Sequence, residues 1–346
     1  MKKTLIAIAA IAAMGAASAQ VTPTIYGRLD VGVTNTNTTG KSAATEVKSS
    51  GYNGSNFGVK LETDLGGGMK GMAQLEEGFD SQDKDKGFTT GTNRVAKLGV
   101  SGSFGLVELG TMWGPYDNTT MEAMNYNAFS PYGRMLNAGA HGDNGNGTAS
   151  GATAGSIQYT TPSMGGLAAT VNYAPKKDAK DQDISTTAFD ITYATGPLSV
   201  ALGYEHVPTI YTNGTGATNA AGSTKYANAW HISSMYDMKS VLLSVGLVGA
   251  TVDGVAAGAT GTDKDSGYSL AAAFPMGSWT PSVGIASVKT SGDNLNQQVD
   301  SFGFQALYAM NKVATYYIGA KSTKTAPTVG ASSTTTYAAT GLTFSF

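Results

Sequence analysis

Short segments in which apolar and polar residues alternate, each ending at a turn, make up most of this chain. In the first segment Ile25, Leu29 and Val33 share one face. Arg28 and Asp30 share the opposite face. Alternation with a period of two residues is typical of β-strands that have one apolar and one polar side. The pattern therefore predicts an all-β fold.

The connections between these segments are of two kinds, short turns and long polar loops, and the two kinds follow one another in turn. Fifteen connections join sixteen antiparallel strands, with boundaries uncertain by about 2–4 residues. The seven short turns are Gly66–Gly68, Gly102–Gly105, Pro162–Gly166, Thr195–Pro197, Asp237–Ser240, Pro275–Ser278 and Met310–Lys312. The eight long connections are approximately 34–55, 80–93, 112–155, 174–186, 206–227, 251–266, 289–299 and 322–335.

An even strand number, with short turns at one rim and long loops at the other, is the arrangement of outer-membrane barrels. The chain contains no apolar run long enough for a spanning helix. A chain of this kind in a membrane must close into a barrel, because every backbone polar group needs a partner there. Composition alone does not separate such a barrel from a large soluble β-protein.

The N-terminus predicts export. Lys2 and Lys3 precede an apolar core, and Ala17-Ser18-Ala19 forms a small-residue cleavage site, so residues 1–19 are interpreted as a signal peptide and 20–346 as the barrel. The chain has no cysteine, so neither a disulfide framework nor a lipoprotein anchor is available. Without the two signal lysines, 20 basic and 24 acidic residues give a net charge of −4, and nucleic acid is not expected as a partner.

The third long connection, 112–155, is the largest segment without alternation. A stretch of this length without regular structure is either functional or disordered. We interpret it as a loop that folds into the lumen of a sixteen-stranded antiparallel transmembrane β-barrel and narrows it.

Several motifs, taken together and in order, resemble the general porins of Gram-negative outer membranes. Tyr26-Gly-Arg-Leu-Asp30 is similar to the opening strand of that family, and the stretch from Asn56 to Lys70, followed by Gln74-Leu-Glu76 and Gly78-Phe79, is similar to its second and third strands. Phe104-Gly105 and Leu109-Gly110 resemble the pair of strands that leads into the constriction loop. The terminal Phe346 fits the family's assembly signal. The resemblance covers the whole mature chain.

The resemblance implies an outer-membrane porin, a water-filled channel for passive diffusion of ions and small hydrophilic solutes. It also implies a homotrimer surrounded by outer-membrane lipid, in which loop 80–93 reaches into a neighbouring subunit. No catalysis, metal or cofactor is expected. Departures from the family pattern, such as Thr111 after Leu109-Gly110, leave the sign of ion selectivity open.

Charged side chains on the inward face of a porin set the field at its narrowest part, the waist. We expect acidic residues of the long loop to face basic residues of the wall across this waist, with each charge alternatively a solvated lumen residue away from it. The candidate pore-constriction residues are Arg28, Lys60, Glu76, Lys97, Glu108, Asp117, Glu122 and Arg134.

Two alternatives keep the same fold. In a substrate-specific porin, Tyr126, Phe129 or Tyr132 would form a track that guides a ligand. An outer-membrane enzyme would need a catalytic cluster at the rim, and His206 beside Glu205 is the one candidate. A third alternative, an exported soluble adhesin or binding module, would not need a continuous apolar outer band.

Overall fold

The computed structural model describes residues 21–80, 93–118, 121–125, 127–131, 152–175, 185–209, 225–253, 261–293 and 295–346. The expected signal peptide, 1–19, lies outside these residues. The described residues contain one short helix, α1 (Pro115–Asn118), and seventeen strands. The strands are β1 (Thr22–Thr38), β2 (Ala44–Ser49), β3 (Asn56–Gly66), β4 (Met69–Gly78), β5 (Asn93–Gly102), β6 (Gly105–Trp113), β7 (Ala152–Thr160), β8 (Leu167–Ala174), β9 (Thr186–Thr195), β10 (Leu198–Thr209), β11 (Lys225–Asp237), β12 (Leu242–Asp253), β13 (Thr262–Ala273), β14 (Trp279–Gly292), β15 (Gln297–Ala309), β16 (Ala314–Pro327) and β17 (Ser333–Ser345).

The strands form a single antiparallel sheet that closes on itself. From β3 onward each strand pairs with the next along the chain, and β17 returns to pair with β1 from Arg28 opposite Ser345 to Thr38 opposite Thr335. At the seam, Gly27 and Phe346 exchange backbone hydrogen bonds of 3.0 and 3.1 Å. The closed sheet leaves no lateral edge, as a membrane-spanning sheet requires.

The wall has sixteen strands, as predicted, because β2 and β3 together act as one wall strand. Both pair with the same side of β1: β3 along Thr22–Arg28, and β2 along Val31–Thr36. The first connection therefore differs from the expected loop 34–55, since β1 continues to Thr38 and residues 44–49 are a strand.

All seven short turns lie where the sequence predicts them, and most strands extend further than expected at their opposite ends. The strand β16, for example, ends at Pro327 and β17 begins at Ser333, inside the connection 322–335. The turn between β3 and β4 places Gly66, Gly67 and Gly68 at φ values of 80°, 61° and 79°. Only glycine adopts this left-handed conformation without strain.

The two faces of the wall differ sharply. On β12, Leu243, Val245 and Leu247 are exposed to the outside, while the residues between them point inward and are buried. Large exposed apolar side chains recur in this way on the strands around the barrel. A continuous apolar outer band is the surface that a bilayer covers, and the opposite face of each strand lines the lumen.

A charge placed in the middle of this band should destabilise the folded barrel. Leu247, at the centre of β12, is 47% exposed on the outer face. Leu247→Arg is expected to lower the free energy of unfolding by about 2–4 kcal/mol. Denaturant titration in lipid vesicles measures this, with Leu243→Arg at the strand end as the matched control, for which about 0–1 kcal/mol is expected. Equal losses for the two variants would contradict the band as described.

Candidate functional site

The inner faces of β1 and β3–β8 carry a group of polar and charged side chains that we call the charged wall. Alternation places these residues opposite the apolar band, so they face the lumen, and a register shift on β5 adds Arg94 to them. The charged wall comprises Tyr26, Arg28, Lys60, Gln74, Glu76, Arg94, Lys97, Glu108, Gln158 and Asn172.

Glu76 is the centre of one cluster in the charged wall. Its Oε1 lies 2.6 Å from Arg94 Nε, and its Oε2 accepts a hydrogen bond of 2.8 Å from the Tyr26 hydroxyl. Gln74 Nε2 donates to the same hydroxyl at 2.6 Å. The Arg94 guanidinium also lies over the Trp113 ring, 5.0 Å from its centroid. The negative charge of Glu76 therefore balances that of Arg94 within the wall.

A second ion pair continues along the neighbouring strands. Lys97 Nζ on β5 lies 2.6 Å from Glu108 Oε1 on β6. Gln158 donates to Glu108 Oε2 at 3.3 Å, and Asn172 donates to Gln158 at 3.2 Å. A lateral chain of hydrogen bonds thus crosses four strands and fixes the side chains in place.

Two of the predicted basic residues, Lys60 and Arg28, lie near tyrosine side chains. Lys60 Nζ lies 5.0 Å from the centroid of the Tyr26 ring, a cation–π contact. The charges of Arg28 and Glu122 both act on the hydroxyl of Tyr52, which lies between β2 and β3. Arg28 and the loop residue Glu122 are therefore both close to Tyr52.

The inner face of β14–β17 and β1 is different, because glycine occupies many of its inward positions. Gly284 is paired with Gly303 across β14 and β15, and Gly341 with Gly32 across β17 and β1. Gly319 lies on β16 between them. With no side chains to raise the surface, these positions let another segment approach the backbone of the wall closely. We call these five positions the glycine track.

Residues 121–125 and 127–131 of the third connection, the 121–131 segment, lie along this part of the inner face. Its backbone is hydrogen-bonded to side chains of four strands, which fixes its course across the wall. Met121 N and Ala123 N donate to Ser233 and Ser244 hydroxyls at 3.1 and 3.0 Å. Gln305 and Lys321 donate to the carbonyls of Met124 and Ser130 at 3.2 and 3.3 Å.

Apolar side chains reinforce these bonds. Phe129 and Met124 are fully buried. A Cβ placed on Gly319 would lie 2.6 Å from the Phe129 ring, and one on Gly284 would lie 2.8 Å from Met124 Sδ. The segment therefore fits the glycine track at van der Waals contact. Because Phe129 is buried here, it is not available for the ligand track suggested by the sequence; Tyr126 and Tyr132 lie outside the described residues.

The start of the third connection is anchored separately. A register shift interrupts the pairing of β6 with β7 between Gly110 and Met112, and Met112 is 1% exposed. The helix α1 follows, and His231 Nε2 on β11 donates to the Tyr116 carbonyl at 3.0 Å. The Tyr116 ring meets the imidazole edge-on, with centroids 4.7 Å apart.

The predicted site residues therefore fall into separate groups. Glu76 pairs with Arg94, which is not among the predicted site residues, and Lys97 pairs with Glu108. Glu122 accepts a hydrogen bond of 2.7 Å from Ser130 within its own segment. Asp117 lies in α1, and Arg134 lies outside the described residues. The opposition of loop acids to wall bases across a waist stays a prediction.

Neither a metal centre nor a membrane-spanning helix is found in the described part of the chain. It has no group of three or more His, Cys, Asp or Glu placed to hold a metal ion. No helix within it has the length and apolar character to cross a membrane. The ring of His206, the histidine considered for catalysis, is bonded to Asn228 Oδ1 at 2.7 Å.

A barrel with an apolar exterior, a charged interior and a connection folded against its inner wall matches a known family. The model of the Gram-negative porin family matches residues 4–328. The chain belongs to this family. With its apolar outer band, it is an outer-membrane β-barrel.

Individual relatives agree with this membership. Outer membrane porin protein 32 of Delftia acidovorans is 35% identical over 221 residues, which are 59% of this chain and 59% of that protein. The solved anion-selective porin from Comamonas acidovorans shares 20% identity with a TM-score of 0.78, over 94% of this chain and 100% of that one. A trimer form of OmpT from Vibrio cholerae shares 14% identity with a TM-score of 0.69, over 94% and 99%. The two structures share the fold.

Proposed function

We propose that the chain forms a water-filled channel for passive diffusion of ions and small hydrophilic solutes across the outer membrane. The observation that carries this proposal is the division of the inner face. The described contacts of the 121–131 segment fall on β11–β17 and on Tyr52 beside β1, whereas the charged wall lies on β1 and β3–β8. Solutes pass between the segment and the charged wall, and the connection 112–155 forms the waist.

The eight predicted residues, together with Arg94, are proposed to act as pore charges in three groups. Arg28 and Lys60 provide positive charge, while the pairs Arg94–Glu76 and Lys97–Glu108 each sum to zero. Paired charges still form local dipoles that orient polar solutes, but they add little net field. Asp117, Glu122 and Arg134 contribute from the loop side of the waist.

We also propose that the functional unit is a homotrimer. A trimer form is known for OmpT of Vibrio cholerae, which shares the fold. The loop expected to latch onto a neighbouring subunit, 80–93, lies largely outside the described residues. Chemical cross-linking in detergent, analysed by mass, tests this proposal; a monomer under conditions that preserve the barrel would contradict it.

A substrate-specific porin is the variant that shares most of these features, and it differs in one measurable respect. A solute that binds in the lumen blocks the ion current in a saturable way, whereas passive diffusion shows no saturation. An enzyme is disfavoured because the His206 ring is held by an amide, with no nucleophile motif around it in the described residues.

Single-channel recording in a planar bilayer tests the proposal directly. Purified protein is expected to insert in conductance steps, grouped in threes if the trimer is the unit. A salt gradient then gives the reversal potential and hence the sign of selectivity. Folded protein that produces no conductance would overturn the channel function.

A further inference from the structure

Six residues between β2 and β3, which we call the first-loop spur (50–55), leave the wall and enter the lumen. Arg28 and Val31 of β1 pair with Asn56 and Ser49, so two residues of β1 lie opposite these six. The excess chain folds inward, since the Tyr52 ring stacks on Tyr317, whose side chain is buried on the inner face, with centroids 5.2 Å apart. The porin function proposed above gives this spur no role.

Asp30 of β1 holds the spur in its place. Its carboxylate, fully buried, accepts hydrogen bonds from Tyr52 N at 3.2 Å and from the Tyr317 hydroxyl at 3.1 Å. Its backbone adds bonds to Ser50 and Ser55 of the spur at 3.1 and 3.0 Å. A carboxylate removed from water needs such donors, and here the spur supplies one, Tyr52 N, and β16 supplies the other, the Tyr317 hydroxyl.

The tip of the spur contacts the 121–131 segment. Ala128 N donates to the Tyr52 carbonyl at 3.0 Å, and the rings of Tyr52 and Phe129 lie 6.1 Å apart. The Asn127 side chain is hydrogen-bonded to the Tyr52 hydroxyl. The spur therefore touches both the backbone and the side chains of the segment, at the end of the glycine track.

We propose that the waist is built from two segments rather than one, with Tyr52 as a positioning residue that holds the 121–131 segment against the wall and Asp30 as the residue that holds Tyr52. This inference rests on the proposed channel function and deepens it. Without Tyr52 the segment keeps its bonds to β11, β12, β15 and β16 but loses its support at the β1 side, so it moves away from its track.

The phenol of Tyr52 itself does not ionise in the ordinary pH range. Burial raises the pKa of Tyr52 from 10.0 to about 12, so the phenol stays neutral wherever outer-membrane proteins work. The folded state favours the protonated phenol, so its contribution is present below pH 10 and is lost as the pH rises through about 12.

The test compares single-channel conductance of the wild-type chain, Tyr52→Ala and Tyr52→Phe. Loss of the ring is expected to change the open cross-section at the waist and to raise conductance by roughly 1.5- to 2-fold, with noisier open levels. Tyr52→Phe keeps the ring and should restore the wild-type value, which a general loss of stability would not explain. Tyr268→Ala, which removes the same ring from the outer face, is the matched control.

Conductance of folded Tyr52→Ala equal to or below that of the wild-type chain overturns the two-segment waist while leaving the channel function intact. A wild-type chain without conductance instead removes the channel function itself. Ala128→Pro is the second variant, used if Tyr52→Ala does not fold. It removes the N–H that bonds Tyr52, fixes φ at position 128 and changes no residue of the wall, and it is expected to raise conductance in the same way.

Discussion

Replacing Gly303 with alanine is expected to raise single-channel conductance by roughly a factor of two, because the 121–131 segment can no longer lie against the wall. A Cβ at this position would overlap the Phe129 carbonyl oxygen and lie 3.0 Å from Pro131 Cδ. The obstructing atoms belong to the backbone and a proline ring, which cannot rotate away as a flexible side chain would. The segment itself must move.

In Gly303→Ala the barrel wall should keep its structure, whereas the 121–131 segment should move. Gly303 has no positive φ, so alanine fits the backbone of β15. Overpacking costs typically about 1–3 kcal/mol, and movement of the segment relieves part of it. The barrel should therefore still fold, as its heat-modifiable mobility in detergent gels would show, while the waist changes.

Gly71→Ala is the matched control for Gly303→Ala. Gly71 also lies within a strand, but the atoms nearest to a Cβ there would be side-chain atoms of Leu65 and Thr63, at 3.3 Å. Its conductance should equal that of the wild-type chain. Wild-type conductance in folded Gly303→Ala would mean that the 121–131 segment does not limit the current.

The wall could be predicted from the sequence because one physical cause, the contrast between lipid outside and water inside, imposes alternation on every strand. This contrast is absent where the strands extend beyond the membrane. Residues 44–49 and the last residues of β16 are mostly polar, so the sequence shows no apolar alternation there. For this reason the split of the second wall strand into β2 and β3 could not be predicted.

The period-two alternation of the sequence predicts which charged side chains face the lumen. It does not predict which residues they pair with. Arg94 reaches Glu76 because the register shifts between Glu76 and Glu77, and Arg94 is the extra residue on β5. A bulge of one residue leaves no pattern in the sequence. The glycine track does have a signal, since glycine recurs at inward positions of neighbouring strands at Gly303, Gly319 and Gly341. Whether these glycines lie side by side depends on the register of the strands, which is known only from the structure.

Substituting Glu76 by glutamine is expected to shift the selectivity of the channel toward anions. Glutamine keeps the size of the side chain and an acceptor for the Tyr26 hydroxyl, but it leaves the Arg94 charge unbalanced. A unit charge about 4 Å from a passing ion in water is worth about 1 kcal/mol, which corresponds to roughly a five-fold change in the permeability ratio. The reversal potential in a low-salt gradient measures it.

Two controls separate this effect from changes in folding or in overall charge. Asp300→Asn removes the same charge from the outer face of β15, where it should leave the reversal potential unchanged. Raising the salt concentration to about 1 M shortens the Debye length to roughly 3 Å and should remove most of the shift. An effect that persists at high salt would have another cause, such as a change in pore shape.

A double-mutant cycle shows whether the two charges act as a balanced pair. Arg94→Gln should shift selectivity in the opposite direction, toward cations, because the Glu76 charge then stands alone. The double variant Glu76→Gln with Arg94→Gln should return close to the wild-type reversal potential, since both states have no net charge at this cluster. A double variant that keeps the shift of either single variant would contradict a balanced ion pair at 2.6 Å. In that case Trp113 and Tyr26, which contact the pair, would control the path of the ions through their rings and not through charge.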